Sequence, residues 1–274
     1  MKSRHRVALL GALALAVTAG LVTGSVARAG GADRHAVSAG ATAPKPFTVI
    51  QLNLCLHQRN LGKCFDRPGS GGAMTPRAKR DEAVQVIQDR RPNAVTLNEV
   101  CLDDLRAIHR RTGYEWRFTA TKRRLAPCSD GRGRFGIALL ARGFEGPRVD
   151  RWRYGGVTGY GRWGMCARTA GHVLLCTSHL EPGSPMAQCK KLRRELSHRE
   201  LPVVFGGDVN RKGDRRACRT RSLWVRRNFM ADQLPGIQHV YGTAAAFAAA
   251  ASGAARHMHS TNHGAFIVRM RPRS

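Results

Sequence analysis

The amino-acid sequence predicts an α+β fold in which two mixed β-sheets pack face to face, with helices on their outer sides. Short apolar segments rich in β-branched residues recur along the chain, and such segments indicate buried strands. Some of these segments are separated only by a turn, whereas others are separated by a helical segment. This mixture of hairpins and strand–helix–strand units favours two packed sheets over one doubly wound parallel sheet.

The first half of the chain alternates strands with helices. Thr75 and Pro76 are the residue types expected at an N-cap and at the first position of a helix, and Pro92 ends this helix. Strands are predicted over residues 47–54 and 94–97, on either side of it. A short helix over 102–110 and strands over 114–121 and 136–142 follow.

The second half begins with a hairpin. Cys166 and Cys176 lie symmetrically about Gly171, so strands over 163–168 and 172–178 would place them opposite one another, within reach of a disulfide. A helix over 184–199, a strand over 201–205 and a strand over 236–243 come next. Residues 243–256 are rich in alanine and predict a helix, and the chain closes with a strand over 265–268.

The N-terminal region predicts export. Residues 1–29 have a basic start, an apolar run and a small-residue cleavage site at Ala27-Arg28-Ala29, as in a secretory signal peptide. An uncleaved membrane anchor is the alternative, because the apolar run is long. Residues 30–46 are small and polar and predict a flexible spacer, which leaves 47–274 as the folded domain. We expect a secreted, extracellular protein that is a monomer.

The eight cysteines fit an exported chain, in which disulfides are stable. Besides the hairpin pair, proximity in sequence suggests Cys55 with Cys64, Cys101 with Cys128, and Cys189 with Cys218. A structural zinc site is the rival interpretation, but the sequence has no Cys-x-x-Cys or His-x-x-x-His pair to support it.

The chain is strongly basic, with 46 Lys and Arg against 18 Asp and Glu and a formal charge of +28. Such a charge attracts polyanions, which are nucleic acid or an anionic membrane surface. A basic run directly after Asn210 strengthens this expectation, and it consists of Arg211, Lys212, Arg215, Arg216, Arg219 and Arg221. The alternative is that the charge reflects only a genome rich in Ala, Arg and Gly.

Polar residues follow several of the predicted strands at the point where each strand ends. They are Asn53, Glu99, His179, Asp208 with Asn210, and His263. Gly206 and Gly207 precede Asp208, and we expect them to let a bulky ligand approach the main chain. Carboxylate and carboxamide oxygens suit a hard cation such as Mg²⁺, and two histidines beside it can act on a phosphate group. The pattern therefore predicts hydrolysis of a phosphate ester.

These residues lie in segments that resemble one known family. The segments LNL, LNEV, GIALLAR, TSHL, GGDVN and TNHGAFIV occur in this order and are similar to those of the endonuclease/exonuclease/phosphatase superfamily, which includes deoxyribonuclease I and bacterial sphingomyelinases. The resemblance covers nearly all of residues 47–270. It implies a four-layer α/β/β/α sandwich and a metal-dependent phosphoric ester hydrolase that uses Mg²⁺, with Mn²⁺ or Ca²⁺ as alternatives.

The resemblance also implies roles for the strand-end residues. Glu99 would be the principal metal ligand, with Asn53 beside it in the metal and phosphate shell. Asp208 would orient and deprotonate the attacking water, and Asn210 would hold a phosphate oxygen. His179 and His263 would contact the scissile phosphate and stabilise the charge that develops on it.

Two positions depart from the family pattern. Asn262 stands where the family usually has an aspartate that binds metal, and Gln238 stands where it usually has an aspartate that supports the last histidine. An amide still ligates or accepts a hydrogen bond but adds no charge, so both changes predict weaker metal binding. They also leave open a relative that binds its ligand without turnover.

Three functions therefore remain open. A secreted nuclease fits the charge and the Arg/aromatic segment 151–163, which alternatively is only a long connection. A sphingomyelinase-like phospholipase fits the export signal, although aromatic residues make up only 6% of the chain. A catalytically weakened protein that binds nucleic acid or a surface fits the two amide substitutions.

Overall fold

Two six-stranded sheets form the centre of the molecule. The computed structural model describes residues 45–56, 75–121, 128, 131–155, 161–182, 186–211, 218, 223–227 and 236–273, with backbone alone for 223–227 and 249–255. All of these residues belong to one compact unit, Ala43–Ser274. The four-layer sandwich implied by the family resemblance is confirmed, because each sheet faces the other on its inner side and carries helices on its outer side.

The first sheet has the strand order β11-β12-β1-β2-β4-β3. Within it β1 and β2 are parallel, and every other neighbouring pair is antiparallel. The strands are β1 (Phe47–Asn53), β2 (Ala94–Cys101), β3 (Glu115–Ala120), β4 (Phe135–Ala141), β11 (Phe247–Arg256) and β12 (Ala265–Pro272).

The second sheet has the order β5-β6-β7-β8-β10-β9. Here β7 and β8 are the one parallel pair. The strands are β5 (Asp150–Arg153), β6 (Trp163–Arg168), β7 (Leu174–His179), β8 (Val203–Asp208), β9 (Leu223–Arg227) and β10 (Gln238–Thr243).

Helices connect the parallel strands, because a parallel pair needs a crossover that a tight turn cannot provide. The first helix, α1 (Pro76–Arg90), joins β1 to β2, and the Thr75 hydroxyl caps it by accepting from Ala78 N at 3.1 Å. The next, α2 (Leu102–Thr112), follows β2. The third, α3 (Met186–Ser197), joins β7 to β8. The apolar faces of α1 and α2 pack on the first sheet, and that of α3 packs on the second.

The two sheets meet through a layer of apolar side chains such as Val49, Leu139, Met165, Val204 and Phe266, all essentially buried. The parallel strands β1 and β2 lie across this layer from β7 and β8. The carboxyl ends of all four strands consequently lie at one edge of the sandwich.

Three disulfides lie within the described residues. Cys166 and Cys176 are register partners in the β6–β7 hairpin, as predicted, and are bonded. Cys101–Cys128 and Cys189–Cys218 also form, whereas Cys64, the expected partner of Cys55, lies outside the described residues. Three bonded pairs are consistent with an extracellular protein. In the described part of the chain, no helix has both the length and the apolar character needed to span a membrane.

The helix predicted over 243–256 is wrong. This segment is strand β11, which pairs antiparallel with β12 along its length and contains a register shift between Ala249 and Gly253. Alanine has the highest intrinsic helix propensity, but propensity is a weak effect, and pairing with the open edge of β12 outweighs it. Strand β9 was not predicted at all.

The structure gives Gly206 and Gly207 a different role from the one expected. A Cβ atom at Gly206 would lie 2.2 Å from Thr96 Oγ1 in the opposite sheet, and one at Gly207 would lie 2.4 Å from the Ser178 carbonyl oxygen. Both contacts are far shorter than van der Waals distance. The glycines therefore allow close packing of the protein against itself at the base of Asp208.

Substitution of Gly206 by alanine should destabilise the fold by about 1–3 kcal/mol, because the added methyl group overpacks the sheet interface. Gly155→Ala is the matched control, since a Cβ there meets no atom within 4 Å. Denaturant unfolding should show a lower midpoint for Gly206→Ala alone, and Thr96→Ala should restore part of the loss. An equal effect of both glycine substitutions would contradict the packing role.

Candidate active site

The predicted strand-end residues meet at the carboxyl ends of the two parallel strand pairs. Asn53 and Glu99 come from β1 and β2, and His179 and Asp208 are register partners that end β7 and β8. His263 lies in the connection that leads into β12. Four of the five side chains are buried, and that of Glu99 is partly buried, with 12% exposed.

Glu99 lies in an irregularity of its strand. The pairing of β2 with β4 shifts register between Leu97 and Val100, and Glu99 has a φ of 53°. A left-handed backbone costs a residue with a side chain about 1–2 kcal/mol, and such strain is concentrated at functional sites. The Glu99 Oε2 atom is buried and has no hydrogen-bond partner among the described residues. Burial raises the pKa of this carboxyl, against the opposing charge of Arg162.

The Asn53 side chain lies between the two carboxylates. Its Nδ2 donates to Asp208 Oδ2 at 2.9 Å and lies 3.4 Å from Glu99 Oε1. Its Oδ1 accepts from the backbone N–H of Cys55 at 3.0 Å. If Asn53 bound a cation directly, it would use the second lone pair of an oxygen that already accepts a hydrogen bond from Cys55.

Asp208 is held at both its backbone and its side chain. Its N–H donates to Asn98 Oδ1 at 2.6 Å, and its Oδ1 accepts from Asn210 N at 3.0 Å. Burial, together with the nearby charge of Glu99, raises the pKa of Asp208 to about 7. This value is close to that of an effective general base at neutral pH.

A buried polar network between the sheets supports Asp208. Asn98 Oδ1 also accepts from Gln51 Nε2 at 2.9 Å, and Asn98 Nδ2 donates to Thr177 Oγ1 at 3.3 Å. Thr96 donates to Gln51 Oε1 in the same layer. The sequence analysis did not single out these residues. Gln51 and Thr177 lie two positions before Asn53 and His179, Asn98 is the register partner of Asn53, and Thr96 is the register partner of Gln51.

The two histidines face the two carboxylates. His179 Nε2 lies 3.7 Å from Glu99 Oε1, and His263 Nδ1 lies 3.7 Å from Asp208 Oδ2. Burial lowers the pKa of both imidazoles, that of His263 to about 3; the charge of Arg162 adds to the effect at His179, and that of Lys79 adds to it at His263. Both rings are therefore neutral at pH 7.

The remaining predicted residues lie around this cluster. Asn210 has a φ of 54°, and its Nδ2 donates to the Leu180 carbonyl at 2.8 Å. Asn262 is half-buried and directly precedes His263, and Arg211 follows Asn210 at the surface. Gln238 pairs in register with Asp208 and donates to the Gly264 carbonyl at 2.6 Å, so it fixes the backbone beside His263. Lys212, Arg215 and Arg216 lie outside the described residues.

The profile of the Endonuclease/Exonuclease/phosphatase family matches residues 60–262. The chain belongs to this family. Among curated proteins, in contrast, nothing matches it.

Solved structures share the fold of this family member at low sequence identity. The human Nocturnin catalytic domain, solved with a bound sulfate anion, is 15% identical, with a TM-score of 0.60 over 83% of this chain and 95% of that one. An endonuclease/exonuclease/phosphatase from Bacteroides vulgatus is 11% identical, with a TM-score of 0.62 over 84% and 100%. ANGEL2, a 2',3'-cyclic phosphatase solved with adenosine-2',3'-vanadate, is 10% identical, with a TM-score of 0.59 over 83% and 96%.

Two cationic side chains reach the site without having been predicted. Arg162, just before β6, lies with Nη1 2.8 Å from His179 Nδ1. Lys79, in α1, is fully buried, and its Nζ donates to the Cys55 carbonyl at 3.0 Å. Burial lowers the pKa of Lys79 to about 8, although the charge of Glu99 opposes this shift. The sequence signal for Lys79 was its place on the apolar stripe of α1, four residues before Ala83.

The donor set fits a hard divalent cation. Family members typically use divalent metals, and the buried, unpaired Oε2 of Glu99 beside amide oxygens matches the ligands that Mg²⁺ prefers. The described residues contain no cluster of three or more His, Cys, Asp or Glu side chains placed to hold a metal. A cation bound by Glu99 would therefore need amide or water oxygens to complete its coordination.

The effect of Asp208→Asn on stability should become more favourable as the pH rises in the absence of metal. The carboxyl pKa is about 7 in the folded state and about 4 in an unfolded chain. The Asp208 carboxyl therefore contributes its full stabilisation below about pH 4. This contribution to the free energy of unfolding, up to about 4 kcal/mol, is lost as the pH rises to about 7. Thermal unfolding in EDTA should show a larger gain for Asp208→Asn at about pH 8 than at about pH 5. The exposed Asp103→Asn serves as control, and a gain independent of pH would contradict the buried titration.

Asn262→Asp should tighten cation binding by about tenfold, because it restores a carboxylate next to His263. Calorimetric titration with Mn²⁺ measures this directly. Asn93→Asp adds the same charge at the start of β2, where Asn93 Oδ1 accepts from Thr48 N at the opposite edge of the sheet. It should leave Mn²⁺ affinity unchanged. Equal effects of the two variants would mean that Asn262 does not face the cation site.

Proposed function

We propose that this protein is a secreted, metal-dependent phosphodiesterase, and specifically an endonuclease that hydrolyses DNA or RNA. The observation that carries the proposal is the convergence of Asn53, Glu99, His179, Asp208 and His263 in one buried cluster. Family members are phosphoric ester hydrolases, and the three disulfides support an extracellular location.

Each residue has a task that its surroundings support. Asp208 takes a proton from the attacking water, since its pKa of about 7 makes it an effective base near neutrality. His179 and His263 are neutral rings that donate hydrogen bonds to phosphate oxygens, and Asn210 holds another of these oxygens. Glu99 holds the cation, with Asn53 beside it, and a bound Mg²⁺ would polarise a phosphoryl oxygen.

The charge around the site favours a polyanionic substrate. Four arginines lie at the same edge of the sandwich as the site and are exposed or half-buried, namely Arg134, Arg153, Arg162 and Arg211. Lys212, Arg215 and Arg216 follow in the sequence. These groups would bind phosphates on either side of the scissile bond. ANGEL2, which has this fold, was solved with the nucleotide-derived ligand adenosine-2',3'-vanadate, and this likeness supports a nucleic-acid substrate.

A lipid substrate has less support on this surface. Among the described residues, Met186 is the one large hydrophobic side chain that is exposed, at 41%. A phospholipase needs apolar groups that enter the membrane interface. Binding of an anionic membrane by charge alone and binding of nucleic acid without turnover are the alternative proposals.

Incubation of the purified protein with supercoiled plasmid, RNA and sphingomyelin, with Mg²⁺ or EDTA, tests the proposal. We expect metal-dependent nicking of plasmid or cleavage of RNA. Release of the lipid headgroup instead would favour the phospholipase. Salt-sensitive binding without any product would favour the binding protein.

Glu99→Gln and Asp208→Ala should each reduce nuclease activity by at least about 100-fold, because the first weakens the hold on the cation and the second removes the base. Asp103→Asn removes a carboxylate that is 45% exposed on α2 and should keep activity. Full activity in both Glu99→Gln and Asp208→Ala would show that the assigned site is not the active site.

A further inference from the structure

Arg162 makes the shortest polar contact to either histidine of the site. Its Nη1 lies 2.8 Å from His179 Nδ1. Arginine keeps its proton throughout the pH range of proteins and has no acceptor atom. The guanidinium must therefore donate, and His179 Nδ1 must accept with its lone pair. The ring proton then lies on Nε2, which faces Glu99.

We propose that Arg162 is a positioning residue that holds His179 as the neutral tautomer with its proton on Nε2. In this form the ring donates a hydrogen bond to a phosphate oxygen and does not act as a proton donor to the leaving oxygen. This catalytic consequence, the hydrogen bond from His179 to a phosphate oxygen, rests on the proposed phosphodiesterase function. The tautomer itself depends only on the contact between Arg162 and His179.

The other charged groups around His179 do not reverse this assignment. Glu99 on β2 favours the protonated ring, but its Oε1 lies 3.7 Å from Nε2, beyond hydrogen-bond length. Asp208 on β8 is the register partner of His179 and is already bonded to Asn53 and Asn210. His263, which precedes β12, lies near His179, and its charge would disfavour a positive charge on the His179 ring. The donor at 2.8 Å is therefore the strongest single interaction of the ring.

Arg162 has a second effect, which acts on the carboxylates. Its charge lies close enough to Glu99 and Asp208 to favour the ionised form of both. A divalent cation bound by Glu99 would be repelled by the same charge. Loss of Arg162 should consequently tighten metal binding while it releases His179. A residue with only a structural role would not change these two properties in opposite directions.

Nitrogen-15 NMR of the imidazole rings tests the tautomer in the metal-free protein, with His179→Gln used to assign the signal. In the parent protein at about pH 7 we expect a non-protonated Nδ1 and a protonated Nε2. In Arg162→Met we expect a mixture of the two tautomers. Arg162→Lys retains a donor and a charge and should preserve the parent pattern.

Binding of Mn²⁺ alone, measured by calorimetry or by electron paramagnetic resonance, gives the second readout. Arg162→Met should bind Mn²⁺ about five- to tenfold more tightly and turn over at least about tenfold more slowly. Arg148→Met is the matched control, because it removes an arginine that is 89% exposed before strand β5 and lies outside the arginines assigned to phosphate. It should leave both the tautomer and the Mn²⁺ affinity unchanged.

The outcomes separate this inference from the proposed function. Absence of hydrolysis with the expected NMR pattern would reject the function and leave the tautomer assignment standing. A His179 ring that carries its proton on Nδ1 in the parent protein would overturn the inference, as would weaker Mn²⁺ binding in Arg162→Met. If Arg162→Met does not fold, the nitrogen-15 pattern of the parent protein at about pH 7 still decides the tautomer.

Discussion

The Asn98 side chain joins the two sheets beneath the candidate active site, and the arrangement of the polar groups there depends on it. Its oxygen accepts from Gln51 in the first sheet and from the backbone of Asp208 in the second, while its amide nitrogen donates to Thr177. A buried amide without partners would cost a few kcal/mol, whereas one with these three hydrogen bonds fixes its neighbours. The glycine at 206 allows the sheets to come close enough for these bonds. Asp208 therefore takes its position from the packing of the sheets as well as from the end of its own strand.

This close packing has an electrostatic consequence. Glu99 and Asp208 are buried within reach of one amide, that of Asn53, so each carboxylate raises the cost of ionising the other. Arg162 and Lys79 bring positive charge into the same space without filling the coordination of Glu99. Glu99 has a strained backbone and Asp208 has a carboxyl pKa near 7. Both features are costs of stability at a site whose groups suit a cation and an attacking water.

The sequence predicted the sheets and most of the site because both depend on local pattern. Apolar segments that end in a polar residue placed Asn53, Glu99, His179 and Asp208, and the parallel pairs β1–β2 and β7–β8 then bring these ends together. The helix prediction for residues 243–256 was wrong because it followed alanine content, whereas pairing with the free edge of β12 makes this segment a strand. Arg162 was not singled out in a chain with 46 basic residues. The hairpin register through Cys166 and Cys176 nevertheless places it opposite Leu180, beside His179.

The amide side chains of Gln238 and Asn262 affect the backbone and the charge of His263. Gln238 donates to the Gly264 carbonyl, which a carboxylate cannot do, so the residue secures the backbone that carries His263. A further carboxylate beside His263, at position 238 or 262, would favour the charged ring, whereas burial and the charge of Lys79 keep it neutral. In the proposed mechanism, with Arg162 holding His179 neutral as well, both rings would serve as hydrogen-bond donors, and the proton transfers would fall to Asp208 and to water. Amides in place of carboxylates are thus consistent with a working site of different charge, in which phosphate is stabilised by fixed donors and the base is a single aspartate.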